Sequence, residues 1–186
     1  MTKNEFLQKY DLVDLNEDDR FIKKVAYETK NNFMNQIIYD KNVCFLRRKT
    51  YEKLVKANSI LNDYGYKIVI FDAYRPIKYQ EIMWNYYPDE RFVTNPYKGN
   101  SIHCKASAVD ITLADLNGNL IKMPTEYDHF GKESYVCNLK KYNKEIYNNI
   151  KLLQKVMILC GFKLFPTEWW HFNDTDKYDY ILEMYD

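Results

Sequence analysis

Two short segments contain two of the three histidines of this 186-residue chain, and each of these histidines has a carboxylate nearby. His103 and Asp110 share the first segment, and Glu168 and His171 share the second. Two imidazoles and one carboxylate make a three-ligand zinc site with a fourth position open to water. The remaining carboxylate can take a proton from that water. The two segments therefore indicate metal-assisted hydrolysis, with His103, Asp110 and His171 as ligands and Glu168 as general base.

The third histidine and the cysteines are interpreted as non-ligands. His129 lies in the stretch Tyr-Asp-His-Phe, which has no recurring ligand pattern. The four cysteines are scattered and form no CxxC pair, which argues against a thiolate zinc site. Cys104 adjoins His103, but we expect it to support that ligand or to take no part. Scattered thiols are typical of a reducing compartment, and the first residues lack an apolar stretch of signal-peptide length. The expected location is the bacterial cytoplasm.

Further segments of the chain follow one another in an order that marks a known family. They are Tyr27–Phe33, Phe71–Pro76, Ser101–Asp110, Met123–Phe130 and Glu168–Phe172. The second reads FDAYRP, the third follows SxHxxxxAxD, the fourth is similar to MPxxFDxF, and the last reads EWWHF. The set resembles peptidase family M15, the zinc D-Ala-D-Ala peptidases. Within that family it resembles the subfamily of D-alanyl-D-alanine dipeptidases of the VanX type.

The resemblance implies one Zn²⁺ per chain and hydrolysis of the dipeptide D-Ala-D-Ala to two D-alanines. It also implies that Arg75 stabilises the developing oxyanion. Without the resemblance, a structural ion pair would be the better interpretation of this Arg. Asp128 is implied as the partner of the substrate ammonium, and Ser101 as a hydrogen-bonding group for the substrate. A loop or cap hydroxyl is the alternative role for Ser101.

The chain departs from the family pattern at Ala106, where the family usually has Gly. Glycine at such a position usually marks a positive φ or a close backbone approach. Alanine suggests either an ordinary backbone or a slightly tighter site. It removes no ligand, so we expect activity to survive.

Two other functions are alternatives to the dipeptidase. The nearest enzyme alternative is a D,D-carboxypeptidase or cell-wall endopeptidase of the same superfamily, and another is a peptide-binding module that has lost its chemistry. The FDAYRP and EWWHF segments and the missing signal peptide favour the dipeptidase. The net charge of +1 gives no electrostatic case for a nucleic-acid partner. No apolar run approaches the length of a membrane span, so no membrane partner is expected.

Length and an apolar content of 46% predict one globular domain over residues 1–186. Hydrophobic spacing and turn residues predict helices at 46–64, 76–87 and 142–160, strands at 66–71 and 106–113, a loop at 88–102, a turn at 117–118, and a hairpin of 162–165 with 169–172. Residues 1–45 are predicted to be irregular. The pattern is α+β, with a mainly antiparallel sheet carrying the zinc site and helices packed on it. The resemblance implies the Hedgehog/DD-peptidase-like architecture.

One difficulty concerns the last predicted strand. In a regular strand Glu168 and His171 would point to opposite faces of the sheet, because successive side chains alternate. A bulge or a twist must therefore bring both side chains to one metal.

Overall fold

The computed structural model describes residues 1–99 and 101–185. These described residues form four α-helices and seven strands. The helices are α1 (Lys3–Lys9), α2 (Arg48–Asp63), α3 (Ile77–Tyr86) and α4 (Lys144–Leu159). The strands are β1 (Leu12–Asp14), β2 (Ile22–Lys23), β3 (Phe45–Arg47), β4 (Tyr66–Asp72), β5 (Ala108–Asp115), β6 (Phe162–Phe165) and β7 (Glu168–Asp174). None of the described helices combines the length and the apolar character needed to cross a bilayer.

The main sheet has five strands in the order β2-β4-β5-β7-β6. The β4-β5, β5-β7 and β6-β7 pairs are antiparallel, and the short β2 pairs parallel with β4. Strands β1 and β3 form a separate antiparallel pair. The predicted α+β class and the mainly antiparallel sheet are confirmed.

The two long helices are amphipathic and pack against each other and the sheet. α2 buries Leu54 and Leu61, and α4 buries Ile150 and Leu153. α2 contacts β4, and α4 contacts β6. Burying these side chains supplies most of the stability of such helices, because helix propensity alone is marginal.

A bulge in the β6-β7 hairpin explains how Glu168 and His171 can point to the same side of the last strand. Leu164 pairs with Phe172, but the next residue, Phe165, pairs with Glu168. Residues 169–171 therefore lie between two paired positions, and the regular alternation of side chains is interrupted. Glu168 and His171 reach the same side of the sheet as a result.

A second, smaller irregularity lies in β4. Ile70 pairs with Ile111 and Asp72 pairs with Asp110, so Phe71 is the extra residue. The bulge places Asp72 beside the strand position that holds Asp110.

The structure corrects several predicted boundaries. Residues 1–45 are not irregular throughout, since they contain α1, β1, β2, a 3₁₀ turn at Ala26–Glu28 and the start of β3. Leu46 belongs to β3 and not to the helix that follows. Pro76 is the cap residue before α3 and not its first residue. Ile102 is not part of the predicted loop, because it begins a 3₁₀ turn that runs to Lys105.

Candidate metal centre

The two histidines and the aspartate singled out in the sequence converge on one point. His103 lies in the 3₁₀ turn before β5, and Asp110 and His171 are directly paired residues of β5 and β7. One ligand atom from each of the three lies within 4.8 Å of the other two. His171 Nδ1 is 2.9 Å from Asp110 Oδ1, and His103 Nε2 is 3.3 Å from the same oxygen. All three side chains are buried.

Neighbouring carbonyl groups determine which imidazole nitrogens face the centre. His103 Nδ1 is 2.6 Å from the backbone oxygen of Ala73, and His171 Nε2 is 2.8 Å from Oδ1 of Asn173. An oxygen of this kind only accepts, so those two nitrogens carry the hydrogens and donate. In their neutral forms, His103 Nε2 and His171 Nδ1 are then left with lone pairs, which is the tautomer state that a metal requires.

The residues present fit a zinc ion. The two lone-pair nitrogens are 3.1 Å apart, and both face the same aspartate oxygen. Three acceptors this close repel one another unless a positive charge lies between them. Mixed imidazole and carboxylate donors suit Zn²⁺. Although burial opposes the ionisation of Asp110, His103 and His171 hold the pKa of this carboxyl group well below its usual range.

Glu168 is a buried carboxylate at the edge of the three-residue cluster. Its Oε2 lies 3.8 Å from His171 Nδ1. Burial raises the pKa of Glu168 to about 8, against the opposing effect of His171. A carboxyl group with its pKa near neutrality is suited to take up and release a proton during a reaction. A positive charge bound at the centre would favour its ionised form.

Arg75 is a buried cation whose orientation is fixed by two side chains. Its Nε and Nη2 donate to Asp72 Oδ2 at 3.0 and 2.8 Å, and its Nη1 donates to Gln80 Oε1 at 2.9 Å. A guanidinium has five N–H groups, so one hydrogen on each terminal nitrogen is left over. The structural ion pair that the sequence left open for Arg75 therefore exists and leaves donors for a substrate oxygen.

Asp128 lines the same cavity as His103 and His171. It has a left-handed backbone conformation, with φ of 59°. Its carboxylate accepts from the hydroxyl of Tyr27 at 3.1 Å and from the backbone N–H of Phe33 at 3.3 Å. Loss of surrounding water, reinforced by the negative charge of Asp110, raises its pKa to about 8. A cationic substrate group beside it would favour the carboxylate form.

Ser101 and Ala106 flank the turn that holds His103. The hydroxyl of Ser101 accepts from the backbone N–H of His103 at 3.3 Å, so the cap role left open for Ser101 is present. Ser101 also lines the cavity. Ala106 ends the turn with φ of 57° and ψ of 35°, so its backbone is left-handed rather than ordinary. This is the conformation for which glycine has no steric cost.

One cavity connects these groups. It measures about 600 Å³ with its open mouth included. Its lining includes Arg75, Ser101, His103, Asp110, Asp128, Glu168 and His171. Among the described residues that line it, Arg75 is the one Lys or Arg side chain. His129 is exposed and pairs with Glu133 at 3.3 Å, away from the cluster.

Three further residues of this site are not predicted from the sequence. Gln80 holds Arg75, Asn173 fixes the tautomer of His171, and Tyr127 donates to Asp110 Oδ2 at 2.8 Å. Gln80 and Asn173 carry no signal that single-sequence reasoning could have used. Tyr127 did offer one, because it stands where the MPxxFDxF stretch has Phe.

Comparison with known proteins agrees with this geometry. Residues 8–185 match the peptidase M15 family, described as D-Ala-D-Ala dipeptidase. A D-alanyl-D-alanine dipeptidase of Escherichia coli K12 is 31% identical over 159 residues, which is 86% of this chain and 81% of that protein. One of Enterococcus faecium is 26% identical over 172 residues, covering 81% of this chain and 84% of that protein.

A solved structure shows the same fold at low sequence identity. The LD-carboxypeptidase LdcB superposes with a TM-score of 0.51 and 17% identity, covering 88% of this chain and 67% of that one. Since the family match spans nearly the whole chain, the chain belongs to the peptidase M15 family.

Proposed function

We propose that this chain is a zinc-dependent dipeptidase that hydrolyses D-alanyl-D-alanine to two D-alanines, with residues 1–186 forming one catalytic domain. The observation that carries the proposal is the convergence of a His-Asp-His cluster, a spare carboxylate and one buried cation in a single cavity. Relatives named D-alanyl-D-alanine dipeptidase at 31% and 26% identity support the choice of substrate.

His103, Asp110 and His171 would hold the zinc ion. When bound, zinc supplies positive charge that lowers the pKa of a water to about 7 and polarises the scissile carbonyl. The neighbouring Ala73 carbonyl and Asn173 amide each accept from the far nitrogen of one imidazole, which aligns the other nitrogen for this task.

Glu168 acts as the proton carrier of the hydrolysis. It takes a proton from the attacking water as the water oxygen bonds to the carbonyl carbon. When the C–N bond breaks, Glu168 returns that proton to the leaving amine. Arg75 donates its remaining hydrogens to the oxygen that gains negative charge, and Asp72 and Gln80 hold it in place for this step.

Asp128 and Ser101 recognise the dipeptide. A free dipeptide has an ammonium group close to the scissile bond, and an unpaired ammonium in a closed cavity is costly. Asp128 supplies the matching negative charge, held in place by Tyr27 and the Phe33 backbone. Ser101 faces the same cavity and offers its hydroxyl to the substrate.

The experiment that tests this function compares four substrates on the purified, zinc-loaded protein: D-Ala-D-Ala, L-Ala-L-Ala, acetyl-D-Ala-D-Ala and a pentapeptide ending in D-Ala-D-Ala. Released amine is measured. The free D,D-dipeptide should react on the order of 10²-fold faster than the acetylated form, because acetylation removes the partner of Asp128. Asp128→Asn should narrow that gap.

The other outcomes separate the alternatives. Equal rates on the free and acetylated dipeptides would favour a carboxypeptidase. Zinc binding without hydrolysis of any of the four substrates would favour a non-catalytic binding module.

A cytoplasmic location is part of the same proposal. The four cysteines are free, and three of them are buried. Free thiols suit a reducing compartment. Cell fractionation with an antibody against the chain would test the location.

A further inference from the structure

Tyr127 contacts Asp110, one of the three residues of the candidate metal centre. Its hydroxyl lies 2.8 Å from Asp110 Oδ2 and 3.4 Å from the hydroxyl of Tyr27. A phenol has one proton, and the shorter contact is to a carboxylate, so Tyr127 donates to Asp110. Tyr27 gives its own proton to Asp128, at 3.1 Å. The two hydroxyls therefore donate in opposite directions, each to a different carboxylate.

The ring of Tyr127 is held rigidly by aromatic neighbours. It stacks on Phe71 with ring centroids 4.7 Å apart and an interplanar angle of 28°. It also meets Trp170 edge-on, with centroids 5.5 Å apart. A hydroxyl on a ring fixed in this way has lost its freedom before it bonds, so the hydrogen bond has little further entropy to lose.

The two oxygens of Asp110 have different surroundings. Oδ1 faces both imidazoles, at 2.9 and 3.3 Å. Oδ2 faces away from them and accepts from Tyr127. The hydrogen bond therefore occupies the oxygen that is not directed at the cluster, and it fixes the rotation of the carboxylate about its last bond.

The hydroxyl of Tyr127 also affects the position of Arg75. Arg75 Nη2 lies 3.8 Å from Asp110 Oδ2, which is too long for a hydrogen bond. Without the hydroxyl, Oδ2 would be a buried acceptor with no partner and an arginine within reach. Arg75 would then be drawn toward Asp110 and would lose a donor for the substrate.

We propose that Tyr127 is a positioning residue, which holds Asp110 with one oxygen toward the metal and keeps Arg75 free for the substrate. The inference rests on the proposed zinc site. Loss of the Tyr127 hydroxyl should lower metal affinity first and turnover second. Tyr27 instead donates to Asp128, the proposed partner of the substrate.

The test is Tyr127→Phe, with Tyr27→Phe as a matched control that removes the neighbouring hydroxyl. Zinc affinity is measured by competition with a chromogenic chelator, and kinetics on D-Ala-D-Ala are measured at saturating zinc. Tyr127→Phe should weaken zinc binding about 10-fold or more, the usual effect of removing a group that orients a ligand. At saturating zinc its kcat should fall more than its KM changes. Tyr27→Phe should keep the zinc affinity and raise KM.

The outcomes separate this inference from the function on which it rests. A wild-type protein that binds no zinc would overturn the proposed function. A Tyr127→Phe protein with wild-type zinc affinity would overturn only the role of Tyr127. Equal zinc losses in both variants would also overturn that role, since the cause would then be general loosening. Circular dichroism of both metal-free variants checks that they fold.

Discussion

Three carboxylates of the site differ in their electrostatic surroundings. Asp110 faces two imidazoles and a hydroxyl, and its pKa stays well below the usual range despite its burial. For Glu168 and Asp128, neighbouring groups offset less of the effect of burial, and loss of water raises the pKa of each to about 8. Asp110, the proposed ligand, is thus held as an anion, and the pKa values of the other two carboxyl groups lie near neutrality. This division matches their proposed roles as ligand, base and ammonium partner.

Replacement of Glu168 by Gln should separate proton transfer from metal binding. Glu168→Gln keeps the shape of the side chain but cannot take a proton from water. Turnover should fall by at least about 10²-fold, the usual contribution of a positioned general base. Zinc content, measured by atomic emission after gel filtration, should remain near one per chain. A zinc-free variant would instead make Glu168 a ligand.

Histidine variants provide the controls for that measurement. His103→Ala and His171→Ala remove ligand atoms and should lose both zinc and activity. His129→Ala should lose neither, because its ring is exposed and contacts Glu133. Loss of zinc from His129→Ala alone would show that the ligands had been assigned wrongly.

At the scale of elements, α3 connects Arg75 to a segment that lines the cavity. Gln80 of α3 accepts from Arg75 at 2.9 Å and donates to the carbonyl of Thr94 at 2.8 Å. Thr94 lies in the segment after α3 and lines the cavity. One fully buried amide therefore contacts both the guanidinium of Arg75 and the backbone of the segment that contains Thr94.

Replacing Gln80 by Met should lower kcat about 10-fold, with a smaller change in KM. The lost hydrogen bond involves a charged group and is worth about 1.5–3 kcal/mol, and Arg75 acts mainly on the charge that develops in the transition state. Gln80→Glu keeps an acceptor for Arg75 and should recover part of the loss. Steady-state kinetics on D-Ala-D-Ala measure both variants. An unchanged kcat in Gln80→Met would show that Asp72 alone orients Arg75.

The elements that the sequence predicted well are those with a strong local pattern. α2, α4, β4 and the β6-β7 hairpin have apolar periodicity and end near Gly or turn residues, so their existence could be read locally. β1 to β3 are two or three residues long and exist because of their partners, which no local pattern reveals. The bulge at residues 169–171 was required by the proposed chemistry, but its form depends on the pairing with β6.

The residues of the site likewise fall into those that the sequence predicted and those that it did not. The proposed ligands, the proposed base and Arg75 lie in recognisable segments, and in the structure they line one cavity. Gln80 and Asn173 could not be found from the sequence, because an amide becomes important only when folding brings a charged or metal-binding neighbour to it. Tyr127 is the intermediate case, since its departure from the MPxxFDxF stretch was visible but its partner was not.

At the scale of the whole molecule, the interior contains more acidic than basic groups around the cavity. Asp72, Asp110 and Glu168 are buried there, and Arg75 is the buried cation that faces them. Excess negative charge in a poorly hydrated interior opposes folding unless protons or a cation compensate. Zinc would supply that compensation, so metal binding and stability are linked.

The melting temperature of the chelator-treated protein should fall as pH rises from about 5 to about 8. Glu168 and Asp128 have a raised pKa of about 8 when folded and about 4 when unfolded, so the folded state holds more protons in this window. His171 acts in the same direction, because its pKa is raised on folding against the effect of burial, mainly by Asp110. Asp110 has a lowered pKa, and its contribution is lost only at acidic pH.

Zinc should reverse this trend, since a cation favours the ionised carboxylates and neutral imidazoles. Differential scanning fluorimetry at pH 5.5 and pH 8, with and without zinc, measures the effect. Zinc at about 100 times its Kd should add roughly 2.7 kcal/mol of stability. Metal-free Glu168→Gln should show a shallower pH dependence than the wild type. A metal-free wild type that becomes more stable toward pH 8 would contradict the argument.

The order of the strands also determines when the site can exist. His103 and His171 are 68 residues apart, and the second reaches the first only when β7 pairs with β5. A chain emerging from the ribosome presents Arg75, His103 and Asp110 first, and the proposed base and third ligand follow with β7. From the addition of Asp110 until that of Glu168, the nascent chain therefore has two of the three proposed ligands and lacks the proposed base. If these residues form the active site, peptidase activity requires β7 and cannot precede its pairing with β5.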